Sequence, residues 1–175
     1  MPWSMTMAAP SDTRDPLTAN PQRRRGKAQR IAGLTTRTTN AAESNPSTAT
    51  IPSLWGRFMT QAWSQRLAAL GGFGPTIAVY SAYESDVTGS YQLLLGREIP
   101  HTTVVAPPVD VISSSAASYL VFPCVGRLPQ AVIDGWRDVW EYFARRDAAV
   151  RAYTYDFEIY HDGGPVEIWV AVKDT

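Results

Sequence analysis

The chain has 175 residues, of which 45% are hydrophobic, so it can bury one sizeable core and is expected to form one domain. Its 16 basic and 16 acidic residues cancel, which leaves no charge-based argument for nucleic acid, a membrane surface or an acidic partner. The single cysteine, Cys124, excludes an internal disulfide and a cysteine-cluster metal site. No apolar run has the length of a membrane helix and no signal-peptide pattern is visible, so we expect a cytoplasmic protein without membrane contact.

The first segment, residues 1–29, is rich in proline, serine, threonine, alanine and asparagine and has neither helical nor strand periodicity. We expect a disordered tail here and one folded domain over residues 30–175. A basic run at 23–27 could contact phosphate or an acidic surface. A solvated flexible arm is the simpler interpretation of so short a run.

The first half of the expected domain has the pattern of a strand, a helix and a hairpin. A β-prone run at 31–39 precedes a polar segment at 40–50, which we expect to be a loop. Apolar residues then recur at helical spacing over 52–70, after a proline in the first turn. Two strand-like runs, 76–83 and 91–96, flank a polar turn.

The second half shows the same order of elements. Strand-like runs at 109–112 and 118–125 precede a helix over 129–143, which again opens with a proline and carries one apolar stripe. The last two runs, 153–160 and 166–172, are rich in β-branched and aromatic residues and predict a β-hairpin.

The two halves resemble each other. Leu54–Phe58 mirrors Val139–Phe143, and Tyr80–Gly96 mirrors Tyr153–Val172, which indicates a duplicated unit. We therefore predict an α+β fold of two strand-helix-strand-strand units, with a mostly antiparallel, curved sheet backed by two helices.

The final hairpin carries the residues that indicate a function. Alternation puts Asp156, Glu158 and Tyr160 on one side of its first strand, and Glu167 and Trp169 on one side of its second strand. We expect these two sides to form a single face that mixes carboxylates with aromatic rings, opposite a core face. The simplest alternative is that the carboxylates face water. Rings beside acidic groups favour binding of an organic cation instead.

Five motifs follow one another along the chain: Leu54–Phe58, Tyr80–Tyr91, Gly135–Trp140, Asp156–Tyr160 and Val166–Val170. Together, in this order, they resemble the GyrI-like small-molecule-binding domain, which is the effector-binding domain of many AraC-type and MerR-type transcription regulators. The resemblance covers about residues 30–173. It implies a SOUL-like fold whose paired units enclose a cleft on the pseudo-twofold axis, and this cleft often binds hydrophobic cations.

The resemblance also implies a set of site residues. In multidrug-binding members an acid in the penultimate strand, together with an acid and an aromatic residue in the last strand, meets the ligand, and here these roles fall on Glu158, Glu167 and Trp169. Four further aromatic residues are candidates for the ligand-binding wall, with a plain core role as their alternative: Tyr160, Tyr83, Tyr91 and Trp136.

The function implied by the resemblance is binding or sequestration of a small, hydrophobic, cationic effector or drug, linked to transcription regulation. No helix-turn-helix is visible, so we expect no direct contact with nucleic acid. Regulation would then require a protein partner.

Two other functions stay open. Some GyrI-like proteins hydrolyse strained electrophilic natural products, and Glu158 would then be the general base. No nucleophile beside a base is visible, because His101 lies in an expected linker and His161 in the hairpin turn. Catalysis is therefore the less favoured interpretation. The family's namesake binds DNA gyrase, so a gyrase, a regulator or a second copy of the chain could be a partner. We expect no metal and no cofactor, haem included.

Overall fold

The computed structural model describes residues 21–174. In chain order the elements are β1 (Gln22–Gly26), β2 (Gln29–Thr39), α1 (Asn40–Glu43), α2 (Ile51–Thr60), α3 (Trp63–Ala69), β3 (Phe73–Ser81), β4 (Ser90–Glu98), β5 (Asp110–Ser114), β6 (Ala117–Cys124), α4 (Gln130–Phe143), β7 (Asp156–Tyr160) and β8 (Val166–Val172).

The strands form one curved, open, antiparallel sheet in the order β1-β6-β8-β7-β3-β4-β2-β5. Its centre is the pair of β3 and β7, where Val79 lies opposite Phe157. On either side of this pair, β4 and β2 of the first half correspond to β8 and β6 of the second half. The predicted α+β fold of two equivalent units is therefore confirmed.

Each half gives its first strand to the other half. Strand β1 pairs with β6, with Arg24 opposite Tyr119, and strand β5 pairs with β2, with Ile112 opposite Ile31. The two edges of the sheet are thus formed by exchanged strands, and the halves are interlocked rather than merely adjacent.

The prediction of a disordered tail is wrong for Gln22–Gly26, because this segment forms strand β1. This segment has no aliphatic or aromatic side chain, so it lacks the pattern that predicts a strand. Backbone pairing with β6 holds it, together with an ion pair of 3.3 Å between Arg25 and Asp174. Gln29, also expected in the tail, begins strand β2, and residues 1–20 of the expected tail lie outside the described residues.

Helices cover one face of the sheet, which we call the inner face. Helices α2 and α3 pack on β2 and β4, and helix α4 packs on β6 and β8. The helix predicted over 52–70 is interrupted at Ala62, whose φ of 52° is left-handed and ends the hydrogen-bonding pattern of α2. After the break, the chain continues as helix α3, which buries Trp63 and Leu67 in the core.

A short helix that the sequence did not predict begins where a loop was expected. Helix α1 ends at Glu43, whose carboxylate is 1% exposed. This carboxylate accepts hydrogen bonds from the backbone N–H groups of Thr50 at 2.9 Å and Ile51 at 3.3 Å. Glu43 thereby caps α2 in place of the Thr50 side chain, and its burial is explained by that role.

Helix α4 approaches the sheet closely at Gly135. A Cβ atom at this position would lie 2.6 Å from Cys124 Sγ and 2.9 Å from Ile168 Cδ1. Any larger residue would push the helix away from the sheet. Glycine therefore sets the short distance that brings the next residue, Trp136, against the strands.

Candidate functional site

A carboxylate lies in the core beneath α4. Glu158 on β7 is 2% exposed. Its Oε1 accepts hydrogen bonds from Trp136 Nε1 at 2.6 Å and from the Tyr80 hydroxyl at 2.7 Å, and its Oε2 accepts one from the Tyr160 hydroxyl at 2.6 Å. These three donors offset part of the desolvation cost of burying a carboxylate. We call these four residues the Glu158 cluster.

Three elements position the Glu158 cluster. Strands β3 and β7 are paired so that Ala78 lies opposite Glu158, and Tyr80 therefore reaches the carboxylate from the neighbouring strand on the same face. Trp136 descends from α4 at the point where Gly135 allows the helix to come close. The cluster therefore joins the central strand pair to the helix layer of the second half.

The hydroxyl groups of this cluster remain protonated. Burial raises the pKa of Tyr80 and Tyr160 well above its usual value, and the charge of Glu158 raises it further. Both residues therefore act as hydrogen-bond donors across the physiological pH range. Burial, and then the charge of Glu158, also raises the pKa of the Cys124 thiol to about 12, so this thiol is an inert core group.

A second buried carboxylate begins the same strand. Asp156 is fully buried, and its Oδ1 accepts a hydrogen bond from the backbone N–H of Ala171 at 2.7 Å. Its Oδ2 lies 2.6 Å from both the Tyr83 hydroxyl and Arg151 Nη2. The guanidinium of Arg151 stacks 4.4 Å from the ring centroid of Tyr153. We call Asp156, Tyr83, Arg151 and Tyr153 the Asp156 cluster.

A cleft of about 310 Å³, open solvent included, lies beside both clusters. Arg151 lines it together with six aromatic side chains: Tyr80, Tyr83, Tyr91, Trp136, Trp140 and Tyr153. Glu158 is shielded from the cleft, because Tyr80 and Trp136 both line the cleft and contact the carboxylate.

A more apolar cavity lies on the other side of the Glu158 cluster, between α2 and the start of α4. It measures about 390 Å³, open solvent included, and is lined by Trp55, Leu128, Pro129, Val132 and Tyr160. The ring of Trp55 packs edge-on against that of Tyr160, with 5.0 Å between centroids. Tyr160 therefore forms the wall between this apolar cavity and Glu158.

Two of the predicted site residues lie on the opposite face of the sheet, which we call the outer face. Glu158 is paired with Ile168, while Trp169 is paired with Phe157 and Glu167 with Ile159. Residues that pair across antiparallel strands share a face. Glu167 and Trp169 therefore point away from Glu158, and the prediction of a single mixed face is wrong.

The length of the hairpin turn explains this difference. Tyr160 pairs with Val166, so the turn spans residues 161–165. With a turn of this length Glu158 lies opposite Ile168, and Glu167 lies opposite Ile159. Glu158 consequently shares the inner face with the aliphatic row that includes Ile168 and Val170, rather than with the second acidic residue. The alternation predicted within each strand is correct, but alternation does not show which residues of the two strands lie opposite each other.

Glu167 is already paired on the outer face. It accepts a hydrogen bond from Trp169 Nε1 at 2.9 Å, lies 3.3 Å from Arg24 Nη1, and lies 3.4 Å from His161 Nε2. Burial acts to raise the pKa of Glu167, but the hydrogen bonds from Trp169 and His161 and the charge of Arg24 outweigh it and lower the pKa. The side chain is 18% exposed, so this is a surface ion pair network.

The structure gathers five of the seven predicted ligand-binding residues on the inner face: Glu158, Tyr160, Tyr83, Tyr91 and Trp136. Other residues that line the same region were missed, among them Tyr80, Arg151 and Tyr153. Alternation along β3 could have indicated Tyr80, which faces the same side as the buried Ala78. Arg151 and Tyr153 precede β7 in irregular backbone, with Tyr153 at a left-handed φ of 52°, and no periodicity signals them.

Both histidines, His101 and His161, are exposed, as the sequence indicates. Over residues 21–174, no group of three or more histidine, cysteine, aspartate and glutamate side chains is arranged to hold a metal ion. Over the same residues, no helix has the length and apolar character needed to span a bilayer. The cytoplasmic location stays a prediction.

The duplicated α+β fold, with an acidic and aromatic cluster buried between its halves, is that of an effector-binding domain of the GyrI-like class. The family model for Cass2, described as an integron-associated effector binding protein, matches residues 26–172. The chain belongs to this family, which confirms the resemblance found in the sequence.

Three relatives illustrate the relationship. YobU of Bacillus subtilis (strain 168), which is described with a proposed role as a transcriptional regulator, is 31% identical over 152 residues, covering 83% of this chain and 92% of YobU. The crystal structure of the integron cassette protein VCH_CASS2, from the mobile metagenome of Vibrio cholerae, is 33% identical with a TM-score of 0.74, covering 89% of this chain and 97% of that one. SAV2435, solved bound to tetraphenylphosphonium, has the same fold at 21% identity and a TM-score of 0.70, covering 88% and 94% of the two chains.

Proposed function

We propose that this protein binds small hydrophobic cations on the inner face of its sheet, with Glu158 as their charge partner. The observation that carries the proposal is a buried carboxylate surrounded by aromatic side chains, with Tyr80, Trp136 and Tyr160 in hydrogen-bonding contact. A cation placed against aromatic faces gains on the order of 0.5–2 kcal/mol for each ring, and more where water is excluded. Apolar contact with the ring walls supplies the remaining affinity.

The charges on the inner face support the same proposal. Among residues 21–174, four acidic residues are buried, namely Glu43, Asp134, Asp156 and Glu158, while the guanidinium of Arg151 is a buried basic group beside Asp156. Glu43 caps a helix, Asp134 lies 3.1 Å from Arg137, and Asp156 lies 2.6 Å from Arg151. Glu158 accepts hydrogen bonds from two hydroxyl groups and an indole N–H, and an organic cation placed beside it would interact with its negative charge.

Access to Glu158 requires one of its donors to move. Tyr160 is the best candidate, because it separates the apolar cavity beside Trp55 from the carboxylate. A ligand that enters between α2 and α4 would replace the hydroxyl of Tyr160 at Glu158 Oε2. Aromatic rings that line a cavity can exchange rotamers at moderate cost, so a closed resting state is compatible with binding.

The relatives support this proposal at a coarser level. The family that matches the chain is described as effector-binding. SAV2435 was solved with tetraphenylphosphonium, a hydrophobic cation, although its 21% identity indicates only a shared fold. A role in transcription regulation rests on the likeness to YobU and is part of the proposal.

The alternatives drawn from the resemblance, a hydrolase and a protein-interaction module, stay predictions. Hydrogen-bond donors occupy both oxygens of Glu158, so a general-base role would first require a donor to leave. Product analysis after prolonged incubation with a strained electrophile separates a hydrolase from a binding protein.

The direct test is a tryptophan-fluorescence titration of the full chain with tetraphenylphosphonium and with neutral triphenylphosphine oxide. Replacing Glu158 by Gln is expected to weaken binding of the cation by tenfold or more, about 1.4 kcal/mol, and to leave the neutral compound unaffected. The matched control is Glu167→Gln, the same change on the outer face, which should bind both compounds like the wild type. Equal behaviour of the two variants would contradict the proposal.

A further inference from the structure

One edge of strand β2 is left without a neighbouring strand. Strand β5 pairs with β2 only over Gln29–Gly33, whereas β4 pairs with β2 as far as Thr39. Among residues 21–174, no strand pairs with the β5 side of residues 34–39. Continuing the register of β5 would place Pro108 opposite Thr35, and proline lacks the N–H that the ladder needs. An unpaired edge of this kind is a template for another strand.

The direction of the backbone groups along this edge follows from one hydrogen bond. The carbonyl of Arg30 accepts from the backbone N–H of Ile99, which directly follows β4. The N–H and C=O groups of successive residues point to opposite sides of a strand, so Arg30 and every second residue after it face β4. Thr35 and Arg37 therefore present two N–H donors and two C=O acceptors to the unpaired edge.

A groove of about 730 Å³, open solvent included, follows this edge. It is lined by both Thr35 and Thr36, whose side chains point to opposite faces of the sheet, so it lies at the edge of the strand itself. Residues 47–50 and helix α2 form its other wall. The groove thus offers backbone groups on one side and side-chain contacts on the other, which is the arrangement that an added peptide strand requires.

The side chains that line the groove define the partner. Six of the nine carry hydroxyl groups, and the one charged side chain is that of Arg57 on α2, which is exposed. No acidic side chain lines the groove with it. Asp110, which accepts a hydrogen bond from the Thr35 hydroxyl, lies at the β5 end of the edge. A polar peptide with a carboxylate near α2 therefore complements the groove better than an apolar or basic one.

We propose that the edge of β2 over residues 34–39 is a docking site for an extended, acidic peptide segment of a partner protein, which adds as a further strand beside Thr35 and Arg37 and places a carboxylate against Arg57. A short peptide fits better than a second copy of the chain, because a copy would bring its own β5 and α1 against the same edge. The docking site is separate from the Glu158 cluster and does not depend on the proposed function.

The test begins with a phage-displayed library of random octapeptides, which is panned against the full-length chain. Selected peptides are synthesised with a fluorescent label, and fluorescence anisotropy measures their affinity for the wild type, Thr35→Pro, Arg57→Gln and Arg146→Gln. Proline at residue 35 removes an N–H at the free edge without removing a hydrogen bond to β4. Arg146 is the matched control, because it is also exposed but lies beyond the end of α4.

The selected peptides are expected to be rich in acidic and β-branched residues. Thr35→Pro should weaken their binding by about tenfold or more, Arg57→Gln by about two- to fivefold, and Arg146→Gln should behave like the wild type. N-methylation of successive peptide residues should prevent binding at every second position, because only alternate N–H groups of the peptide face β2.

Four outcomes would each overturn the proposal: no enriched sequence, a basic or apolar consensus, binding that survives Thr35→Pro, or N-methylation effects that do not alternate. Light scattering of the wild type and Thr35→Pro tests the competing occupant, since a dimer that this substitution dissociates would assign the edge to a second copy instead. Thermal unfolding shows whether each variant is folded. If Thr35→Pro is not, the N-methylation pattern and Arg57→Gln decide the question.

Discussion

Glu158 and Glu167 lie on paired strands of one hairpin, yet their surroundings are opposite. Glu158 on the inner face is 2% exposed and is held by hydroxyl and indole donors. Glu167 on the outer face is 18% exposed at its side chain and is held by Arg24, His161 and Trp169. The comparison shows that the face of the sheet, which depends on the length of the turn, decides whether a carboxylate is buried in the core or joins a surface ion-pair network.

The comparison can be tested most strongly by removing a charge from the inner face. Asp156→Asn is expected to lower the free energy of unfolding by about 3–5 kcal/mol, because it leaves the guanidinium of Arg151 buried without its counter-charge. Urea denaturation measures the change. The control is Asp147→Asn, which removes an exposed partner of Arg145 and should leave the free energy of unfolding unchanged. Similar losses in the two variants would show that burial does not distinguish these pairs.

A smaller effect is expected when each face loses one indole donor. Trp136→Phe removes the hydrogen bond of 2.6 Å to Glu158 and leaves a gap in the core, which should lower the free energy of unfolding by about 2–4 kcal/mol. Trp169→Phe removes the hydrogen bond of 2.9 Å to Glu167 and is expected to cost about 1 kcal/mol or less. Thermal and urea unfolding of both variants measure the difference. An equal loss would contradict the assignment of Glu158 to a desolvated site.

The smallest effect concerns the pH dependence of the outer face. The folded state lowers the pKa of Glu167 from the ordinary value of 4.5, so its contribution to stability is present above that pH and is lost as the pH falls through the lowered pKa. The difference in unfolding free energy between the wild type and Glu167→Gln should therefore shrink between pH 7 and pH 3. It should also shrink in high salt, because the ion pairs are exposed. A difference that grows on acidification would mean that the pKa is raised instead.

Regular apolar periodicity made most of the fold predictable. Strands such as β3 and β8 and helix α4 carry a clear period, and the similarity of the two halves indicated the duplication. Strand β1 escaped prediction because Gln22–Gly26 is polar and is held by its edge pairing, which is information from a distant part of the chain. The break at Ala62 arises from tertiary packing, which overrides local helix propensity.

The site was predictable in its residue types but not in its arrangement. Glu158 and the rings of Tyr160 and Trp136 were identified, because acidic and aromatic residues in this order resemble a known family. Placement of Glu167 on the other face depends on how the two strands pair, and alternation alone contains no information on pairing. Arg151 is positioned by its contact with Asp156, which forms only when the sheet is assembled.

The exchange of edge strands between the halves has a consequence for the origin of the fold. Strand β1 completes the sheet beside β6, and strand β5 completes it beside β2. An ancestor made of a single such unit would have had no partner for its first strand within its own chain. Two copies could have satisfied each other by swapping that strand, so joining the two subunits of such a domain-swapped homodimer into one polypeptide would give the present strand order.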